Sequence, residues 1–191
     1  MICFTLVKLQ LGEVRLVWQL DSPSPRLLNV LLPGNNLSPP VVVRQSYPEA
    51  RVGSHPLIDG ICRQLEAYDR GTDIDFPVPA GGPQPWSEFY RRVWAETSRI
   101  PRGQVSTYGR IARAISFPRA ARAVGTALGA NPFPLLIPCH RVILASGGLG
   151  NYSAGGPAVK RQLLAGEGVF FDCRGRLIKP APPGSPLTRL S

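Results

Sequence analysis

Cysteine is scarce in this chain, and its few cysteines lie far apart. The 191 residues contain four, Cys3, Cys62, Cys139 and Cys173, with no CxxC pair and no spacing typical of a zinc ribbon or finger. Because metal sites usually show such close ligand pairs, we expect no dedicated metal site. Cys3, Cys62 and His55 could in principle supply three ligands, and a disulfide among Cys3, Cys62 and Cys173 stays open.

Long apolar runs and nucleotide-binding motifs are also missing. The longest apolar stretches, such as LLNVLLP and FPLLIP, fall far short of the roughly 20 residues that cross a bilayer. The amino terminus has no basic segment leading to a small-residue cleavage site, so we expect no signal peptide and a cytoplasmic, intracellular location. No GxxxxGK[ST] motif occurs, and no GxGxxG lies between a strand and a helix, so we expect no nucleotide cofactor.

Charge is distributed unevenly along the chain. Residues 1–83 contain 7 Lys and Arg against 8 Asp and Glu, a net charge of −1, whereas residues 84–191 contain 15 against 4, a net charge of +11. Lys and Arg gain affinity for a polyanion by displacing the counterions condensed on its phosphates. The second half is therefore a candidate for nucleic-acid binding, although a merely soluble basic surface has the same composition.

The first half has the pattern of a small α/β domain. Apolar residues from Ile2 to Leu20, interrupted at Gly12, predict a two-stranded hairpin, and RLLNVLLPG predicts a further strand. From Leu57 to Tyr68 apolar residues recur at helical spacing, which predicts one helix.

A segment dense in Pro and Gly, residues 71–86, separates this half from the next. We therefore predict an α/β domain at 1–80, a mainly α domain at 84–173 and a disordered Pro-rich tail at 174–191.

The second half predicts mainly helices. Residues 86–97 have one apolar face, STYGRIARAIS has a cap in Ser106 or Thr107, and a second helix runs from Pro118 to about Gly129. Two short helices joined by a tight turn predict a helix-turn-helix. On the second helix the residues expected inside are Val124, Ala127 and Leu128, and those expected outside are Arg119, Arg122 and Thr126, beside Ala121 and Ala123.

An apolar run, residues 131–138, leads directly to Cys139 and His140. A cysteine beside a histidine is a candidate nucleophile with its base. An isolated pair of this kind also fits a small buried hydrophobe followed by a core histidine. The sequence on either side of the pair decides between the two interpretations.

The flanking motifs occur in one order and at compact spacing. They are IPRGQVSTYGRIA, AARAVG, NPFPLLIPCHRV, GNYSAGG, VKRQLL and the Glu167 of GEG, and QLEAYDRGTDIDFPVP precedes them. Over residues 84–171 the chain resembles the methylated-DNA–protein-cysteine methyltransferases, or O6-alkylguanine-DNA alkyltransferases, with PCHRV as the most specific signal. The resemblance implies a ribonuclease-H-like α/β amino-terminal domain and a helical carboxy-terminal domain with a helix-turn-helix.

The same resemblance implies the chemistry. An alkyl group moves irreversibly from guanine O6 to Cys139, once per molecule, and displacement at a saturated carbon suits a soft thiolate. His140 would act as base through a water, and Glu167 would orient His140. Tyr108 would donate toward a ring nitrogen of the base, and Asn131 would brace the active-site turn.

A pocket for a flipped-out guanine is also implied. Ser153 would offer its backbone amide near O6, the carbonyls of Cys139 and Val142 would accept from the exocyclic amine, and Tyr152 would line the wall. The implied partner is double-stranded DNA containing alkylated guanine, which the protein would bind in the minor groove. The resemblance also implies a monomer and no membrane partner. Pro138 and Leu128 complete the expected pocket. The expected DNA-binding residues are Arg122, which would fill the space left by the flipped base, Arg119, Ala121, Ala123 and Thr107.

One stretch departs from the family pattern. GNYSAGGPAVK has one residue more between Ser153 and Lys160 than the usual GNYSGGLAVK-like run, with Ala154 where glycine is common. We expect a slightly larger loop and a shifted preference among alkyl groups. Two other functions remain open: a cysteine hydrolase or acyltransferase that uses Cys139 and His140, and a DNA-binding module without catalysis.

Overall fold

The computed structural model describes residues 1–21, 24–34, 38–77, 79 and 85–178. The strands are β1 (Ile2–Leu9), β2 (Gly12–Leu20), β3 (Pro25–Leu31), β4 (Arg51–Val52), β5 (Ser106–Thr107), β6 (Val142–Ile143), β7 (Phe170–Phe171) and β8 (Leu177–Ile178). The helices are α1 (Pro39–Ser46), α2 (Pro56–Asp69), α3 (Glu88–Ser98), α4 (Tyr108–Ala114), α5 (Ala121–Gly129) and α6 (Gly156–Gly166). A 3₁₀ turn, Cys139–Arg141, precedes β6. Together these elements form an α/β fold.

The first half is a four-stranded sheet in the order β3-β2-β1-β4, antiparallel except for the parallel pair β1 and β4. The predicted hairpin is confirmed: Leu9 pairs with Gly12, whose φ of 119° suits the tight turn between them. Alternation along β1 sends Cys3 and Val7 toward α2, while Ile2 packs in a second cluster with α1.

The sequence predicted one helix in this half, whereas the structure has two. PPVVVRQS forms α1 although a run of valines is more typical of a strand. Prolines at the first helical positions set the backbone angle, and Val43 buries its side chain against Val17 and Leu28 of the sheet. Tertiary packing therefore outweighs the local β preference.

The second half packs α3 against α4, α5 and the 3₁₀ turn. Ser87 caps α3, Thr107 caps α4, and the Trp94 indole donates to the carbonyl of Ala127 at 2.9 Å. The prediction that the next helix starts at Pro118 is wrong, because α5 begins at Ala121. After α4 the chain makes a turn in which the amide of Ala120 donates to the carbonyl of Phe117, so helical bonding starts only beyond it.

One apolar core runs through both halves. It includes Leu65 of α2, Trp94 of α3, Ile111 of α4, Phe133 of the apolar run and Leu163 of α6. The outward and inward sides of α5 are as predicted, since Val124, Ala127 and Leu128 are buried while Arg122 and Thr126 are exposed. Packing against this shared core fixes the run that leads to Cys139.

All four cysteines are free, so the disulfide left open does not form. Among the described residues no group of His, Cys, Asp and Glu is arranged to hold a metal, and the His55 imidazole instead accepts from the amide of Leu57. No helix in this part of the chain is long and apolar enough to span a bilayer. The start of the predicted tail is instead ordered: Leu177–Ile178 forms β8 and pairs with β7 through a turn in which the Gly175 amide donates to the Asp172 carbonyl. Residues 179–191 of the predicted tail lie outside the described residues.

Candidate active site

Asn131 braces the segment that carries Cys139. Its side-chain oxygen accepts from the amide of Phe133 at 2.9 Å, and its amide nitrogen donates to the carbonyl of Ile137 at 3.0 Å and to Cys139 Sγ at 3.1 Å. Between these contacts Leu135 is buried with a φ of 74°, a left-handed conformation that costs about 1 kcal/mol or more for a non-glycine residue. The loop is thus strained and tied at both ends, which fixes the thiol.

His140 is fully buried, and its two ring nitrogens have different surroundings. Nε2 lies 3.0 Å from Glu167 Oε1. An ionised carboxylate can only accept, so this contact assigns the proton to Nε2 and the lone pair to Nδ1. Among the described residues Nδ1 has no hydrogen-bond partner. Burial lowers the pKa of His140 although Glu167 opposes this, so the ring is neutral and Nδ1 can take a proton.

Glu167 is the centre of a buried network. The Arg141 guanidinium donates to both carboxylate oxygens through Nε and Nη2, at 2.8 to 3.1 Å, and the Tyr68 hydroxyl donates to Oε1 at 2.6 Å. Burial alone would raise the pKa of Glu167, but His140 and Arg141 hold it well below its usual range. The carboxylate therefore stays ionised and keeps His140 in one tautomer.

The thiol of Cys139 lies among groups that favour its anion. Burial raises the pKa of Cys139, while the Asn131 amide, the Lys160 ammonium and the Tyr152 hydroxyl oppose that rise. The Tyr152 hydroxyl is buried and makes no hydrogen bond of good geometry within the described residues, so its effect on the thiol is small. The resting group is a thiol, and nucleophilic attack needs a base to remove its proton.

Lys160 is a buried cation that sequence reasoning missed. It is completely inaccessible, and Nζ donates to the carbonyl of Val142 at 2.7 Å and weakly to that of Asn151 at 3.5 Å. Burial lowers the pKa of Lys160 to about 8 although Cys139 opposes this. No acidic side chain of the described residues pairs with it, so its charge is available to stabilise a thiolate. The sequence signal for this burial is that Lys160 lies at helical spacing from Leu163 and Leu164 on α6.

A pocket of about 400 Å³ opens beside Cys139, a size within the range of small-molecule sites. Its lining residues are Tyr108, Gly125, Leu128, Gly129, Cys139, Leu144, Asn151, Tyr152 and Ser153. Tyr108, which was expected to contact the guanine ring, lies in this lining. Leu128, Tyr152 and Ser153, which were expected to form the pocket, lie in it as well. Val142 and Pro138 are not in the lining, and the carbonyl of Val142 accepts from Lys160.

The loop after Ser153, which is one residue longer than expected, packs against the first half of the chain. Gly155 has a φ of 126°, and a Cβ placed on it would lie 2.7 Å from the carbonyl oxygen of Pro33. Glycine is therefore required there both by backbone conformation and by space. The segment that follows β3, at Pro33, thus supports one edge of the loop that carries Ser153.

The residues expected to bind DNA lie mostly on one exposed surface. Arg119 is exposed in the turn before α5, Arg122 and Ala123 are exposed on α5, and Ala121 is half-buried. Thr107 instead caps α4 by accepting from the amide of Arg110 at 3.3 Å. Among the described residues neither Arg119 nor Arg122 pairs with a carboxylate.

A shallow depression of about 480 Å³ connects that surface with the pocket. Its lining includes Ala121 and Arg122 of α5, and it shares Tyr108 and Gly125 with the pocket beside Cys139. The exposed arginine helix and the buried thiol are therefore neighbours along one continuous surface.

Comparison with known proteins gives relatives for nearly the whole chain. Residues 88–169 match the family model of the 6-O-methylguanine DNA methyltransferase, DNA binding domain. A methylated-DNA–protein-cysteine methyltransferase of Mycolicibacterium paratuberculosis is 45% identical over 131 residues, 66% of this chain and 76% of that protein. The human protein of the same name is 39% identical over 164 residues, 83% of this chain and 76% of that protein.

Solved structures show the same relationship. The crystal structure of the Mycobacterium tuberculosis O6-methylguanine methyltransferase superposes with a TM-score of 0.67 at 34% identity, and covers 87% of this chain and 93% of that one. A structure of OGT from that organism in complex with DNA gives the same values. The PCHRV motif, the pocket beside its cysteine and these matches agree, and the chain belongs to the methylated-DNA–protein-cysteine methyltransferase family.

Proposed function

We propose that this protein repairs DNA by transferring an alkyl group from O6 of guanine to its own Cys139, irreversibly and once per molecule. The observation that carries the proposal is a buried thiol at a pocket, beside a neutral histidine. Its Nε2 is bonded to a carboxylate, and its Nδ1 has no partner in the described part of the chain. The names of the relatives support the same activity.

The proton of Cys139 moves to His140 Nδ1 through a water, since neighbours in sequence rarely point at each other. The resulting imidazolium is stabilised by Glu167, and the thiolate by Lys160 and Asn131. The thiolate attacks the alkyl carbon, a carbon–sulfur bond forms, and the carbon–O6 bond breaks with its electrons passing to the guanine. A thioether has no easy way to leave, so the protein acts once.

The guanine leaves as an anion, which must be met by hydrogen-bond donors. Burial, and next the neighbouring Cys139, raise the pKa of Tyr108, so its hydroxyl is a neutral donor at the pocket wall. We assign to it the contact with the ring nitrogen, and to the backbone amide of Ser153 the contact with O6. We assign the recognition of the exocyclic amine to the carbonyls of Cys139 and Val142, the latter through its second lone pair because Lys160 already donates to the first.

The partner is double-stranded DNA with the damaged nucleotide flipped into the pocket, at a cost of roughly a few kcal/mol. We infer that α4 and α5 form a helix-turn-helix, that α5 lies in the minor groove and that Arg122 fills the vacated space. The exposed arginines Arg119 and Arg122, which pair with no carboxylate of the described residues, lie beside Ala121 and Ala123 and support this orientation. We further infer a monomer with a ribonuclease-H-like domain at 1–80 and a DNA-binding domain at 84–173.

The test is to incubate the protein with duplex DNA containing O6-methylguanine and to map the added mass. We expect one methyl group per molecule, on Cys139, and no transfer in Cys139→Ser. The matched control is Cys173→Ser, because Cys173 is an exposed, free cysteine and its loss leaves transfer unchanged. Repeated turnover would indicate a hydrolase instead, and an active Cys139→Ser variant a different mechanism.

A further inference from the structure

A tyrosine from the first half of the chain reaches the buried acid–base pair. Tyr68 lies in the last turn of α2 and is 5% exposed. Its hydroxyl donates to Glu167 Oε1 at 2.6 Å and lies 3.4 Å from His140 Nε2. That same carboxylate oxygen accepts from His140 at 3.0 Å. One oxygen atom thus connects α2 with the base that serves Cys139.

The tyrosine is held from several sides. The Arg102 guanidinium lies 4.6 Å above its ring, donates through Nη1 to the Tyr68 carbonyl at 3.1 Å, and donates through Nη2 to the Gly166 carbonyl at 2.7 Å. Gly166 directly precedes Glu167, so Arg102 ties the backbone of the tyrosine to that of the carboxylate. Phe76 packs edge-on against the ring at 6.0 Å. The ring cannot turn away from Glu167 without breaking these contacts.

The hydroxyl keeps its proton. Burial, and next the negative charge of Glu167, raise the pKa of Tyr68 far above its ordinary value. A neutral phenol beside an ionised carboxylate is a donor only, and such charge-assisted bonds are short and strong. The 2.6 Å separation agrees with that description.

We propose that Tyr68 is a positioning residue of the alkyl-transfer site, which holds the Glu167 carboxylate against His140 and takes up part of its negative charge. This inference rests on the proposed function of Cys139 as the alkyl acceptor. It gives the first half of the chain, in which the sequence showed no chemistry, a part in setting the strength of the base.

The groups around His140 determine whether its pKa rises or falls when the Tyr68 hydroxyl is removed. Lys160 lies in α6 and Glu167 directly follows it, while Arg141 and Cys139 belong to the 3₁₀ turn. Tyr68 comes from α2 and Tyr152 from the loop before α6. Without the hydroxyl of Tyr68 the carboxylate is less neutralised, while the charges of Arg141 and Lys160 are unchanged. His140 then faces a more negative partner and binds a proton more readily.

The first test compares the pH dependence of alkyl transfer in Tyr68→Phe, which deletes only the hydroxyl, and in the wild type. We expect the midpoint of the acidic limb to rise by about half to one pH unit. The matched control is Tyr90→Phe, since Tyr90 packs its ring against Trp86 and Trp94 and not against Glu167 or His140. An unchanged midpoint in Tyr68→Phe overturns the proposal, whatever happens to stability.

The second test needs no DNA. The chain has two histidines, so labelled imidazoles can be titrated by NMR in both proteins. We expect the pKa of His140 to be higher in Tyr68→Phe, and the signals of His55, which caps α2 about 20 Å away along the helix, serve as the internal reference. A wild type that transfers no alkyl group would defeat the proposed function and leave this titration valid. Equal His140 titrations in an active pair would defeat the role of Tyr68 alone.

Discussion

The buried relay and the exposed face of α5 are built in opposite ways. In this buried relay, Glu167, His140 and Arg141 are nearly inaccessible. The Glu167 carboxylate accepts from Tyr68, His140 and Arg141, and more weakly from the amide of Gly103 at 3.5 Å. On α5 and in the turn before it, Arg119 and Arg122 are exposed and have no carboxylate partner among the described residues. Proton transfer needs groups that are fixed before the substrate arrives, whereas binding a polyanion needs charges that are free to meet it.

This contrast has an energetic consequence. Removing one member of a buried charge pair leaves the other uncompensated and costs about 3–5 kcal/mol, whereas an exposed pair contributes about 0–1 kcal/mol. The relay should therefore control both folding and chemistry, and the α5 face should control affinity alone.

The largest effect is expected for Glu167→Gln. The amide cannot balance the charge of the buried Arg141, so we expect the free energy of unfolding to fall by about 3–5 kcal/mol. Alkyl transfer should fall by about 100-fold or more, because His140 loses the charge that stabilises its protonated form. Chemical denaturation and single-turnover rates measure the two effects.

The matched control is Glu88→Gln on α3. Glu88 pairs with Arg91 and Arg92 at 3.1 and 3.0 Å, but all three side chains are exposed. We expect a change of less than about 1 kcal/mol and normal transfer. Equal losses in the two variants would remove the distinction between the relay and the surface.

A second, smaller effect is the dependence of the free energy of unfolding on acidic pH. The pKa of Glu167 in the folded protein lies below its unfolded value, so its contribution is present above about pH 4.3 and is lost as the pH falls toward the folded pKa. The pKa of His140 is also lowered, so its cost of protonation appears as the pH falls below about 6.5. We expect the free energy of unfolding to decrease steadily from neutral to acidic pH.

Denaturation at several pH values checks this sign. In Glu167→Gln the part of the decrease at the lowest pH values should be missing. A wild-type stability that stayed level on acidification would show that the relay is not ionised as described.

The sequence predicted the residues that lie close together along the chain. Asn131, Cys139 and His140 fall within one short motif, and the inward and outward sides of α5 follow from helical spacing. The α/β pattern of the first half and the helical pattern of the second were also readable from apolar periodicity. The valine run of α1 was not, because packing on the sheet overrides a local preference for strand.

Long-range partners were beyond the sequence. Tyr68 was predicted as one more apolar position on α2, and nothing in its spacing indicates a hydroxyl aimed at Glu167, 99 residues away. Lys160 shares an apolar face of α6 with Leu163 and Leu164, which indicates burial, but its contact with the carbonyl of Val142 could not be predicted from spacing. Both roles depend on how α2 and α6 pack around the 3₁₀ turn, which local pattern does not encode.

The smallest effect is expected on the exposed face, in Arg122→Ala. Loss of one cation from this surface should weaken binding to undamaged duplex DNA by about 1 kcal/mol, roughly fivefold, and should reduce the salt dependence by about one counterion. Folding stability and the reaction of Cys139 with a small alkylating reagent should be unchanged, because Arg122 is exposed and contacts none of the relay. Arg99→Ala is the control, since Arg99 is also exposed but ends α3 beside Glu96. Binding that falls equally in the two variants would mean that net charge, and not the α5 face, attracts the DNA.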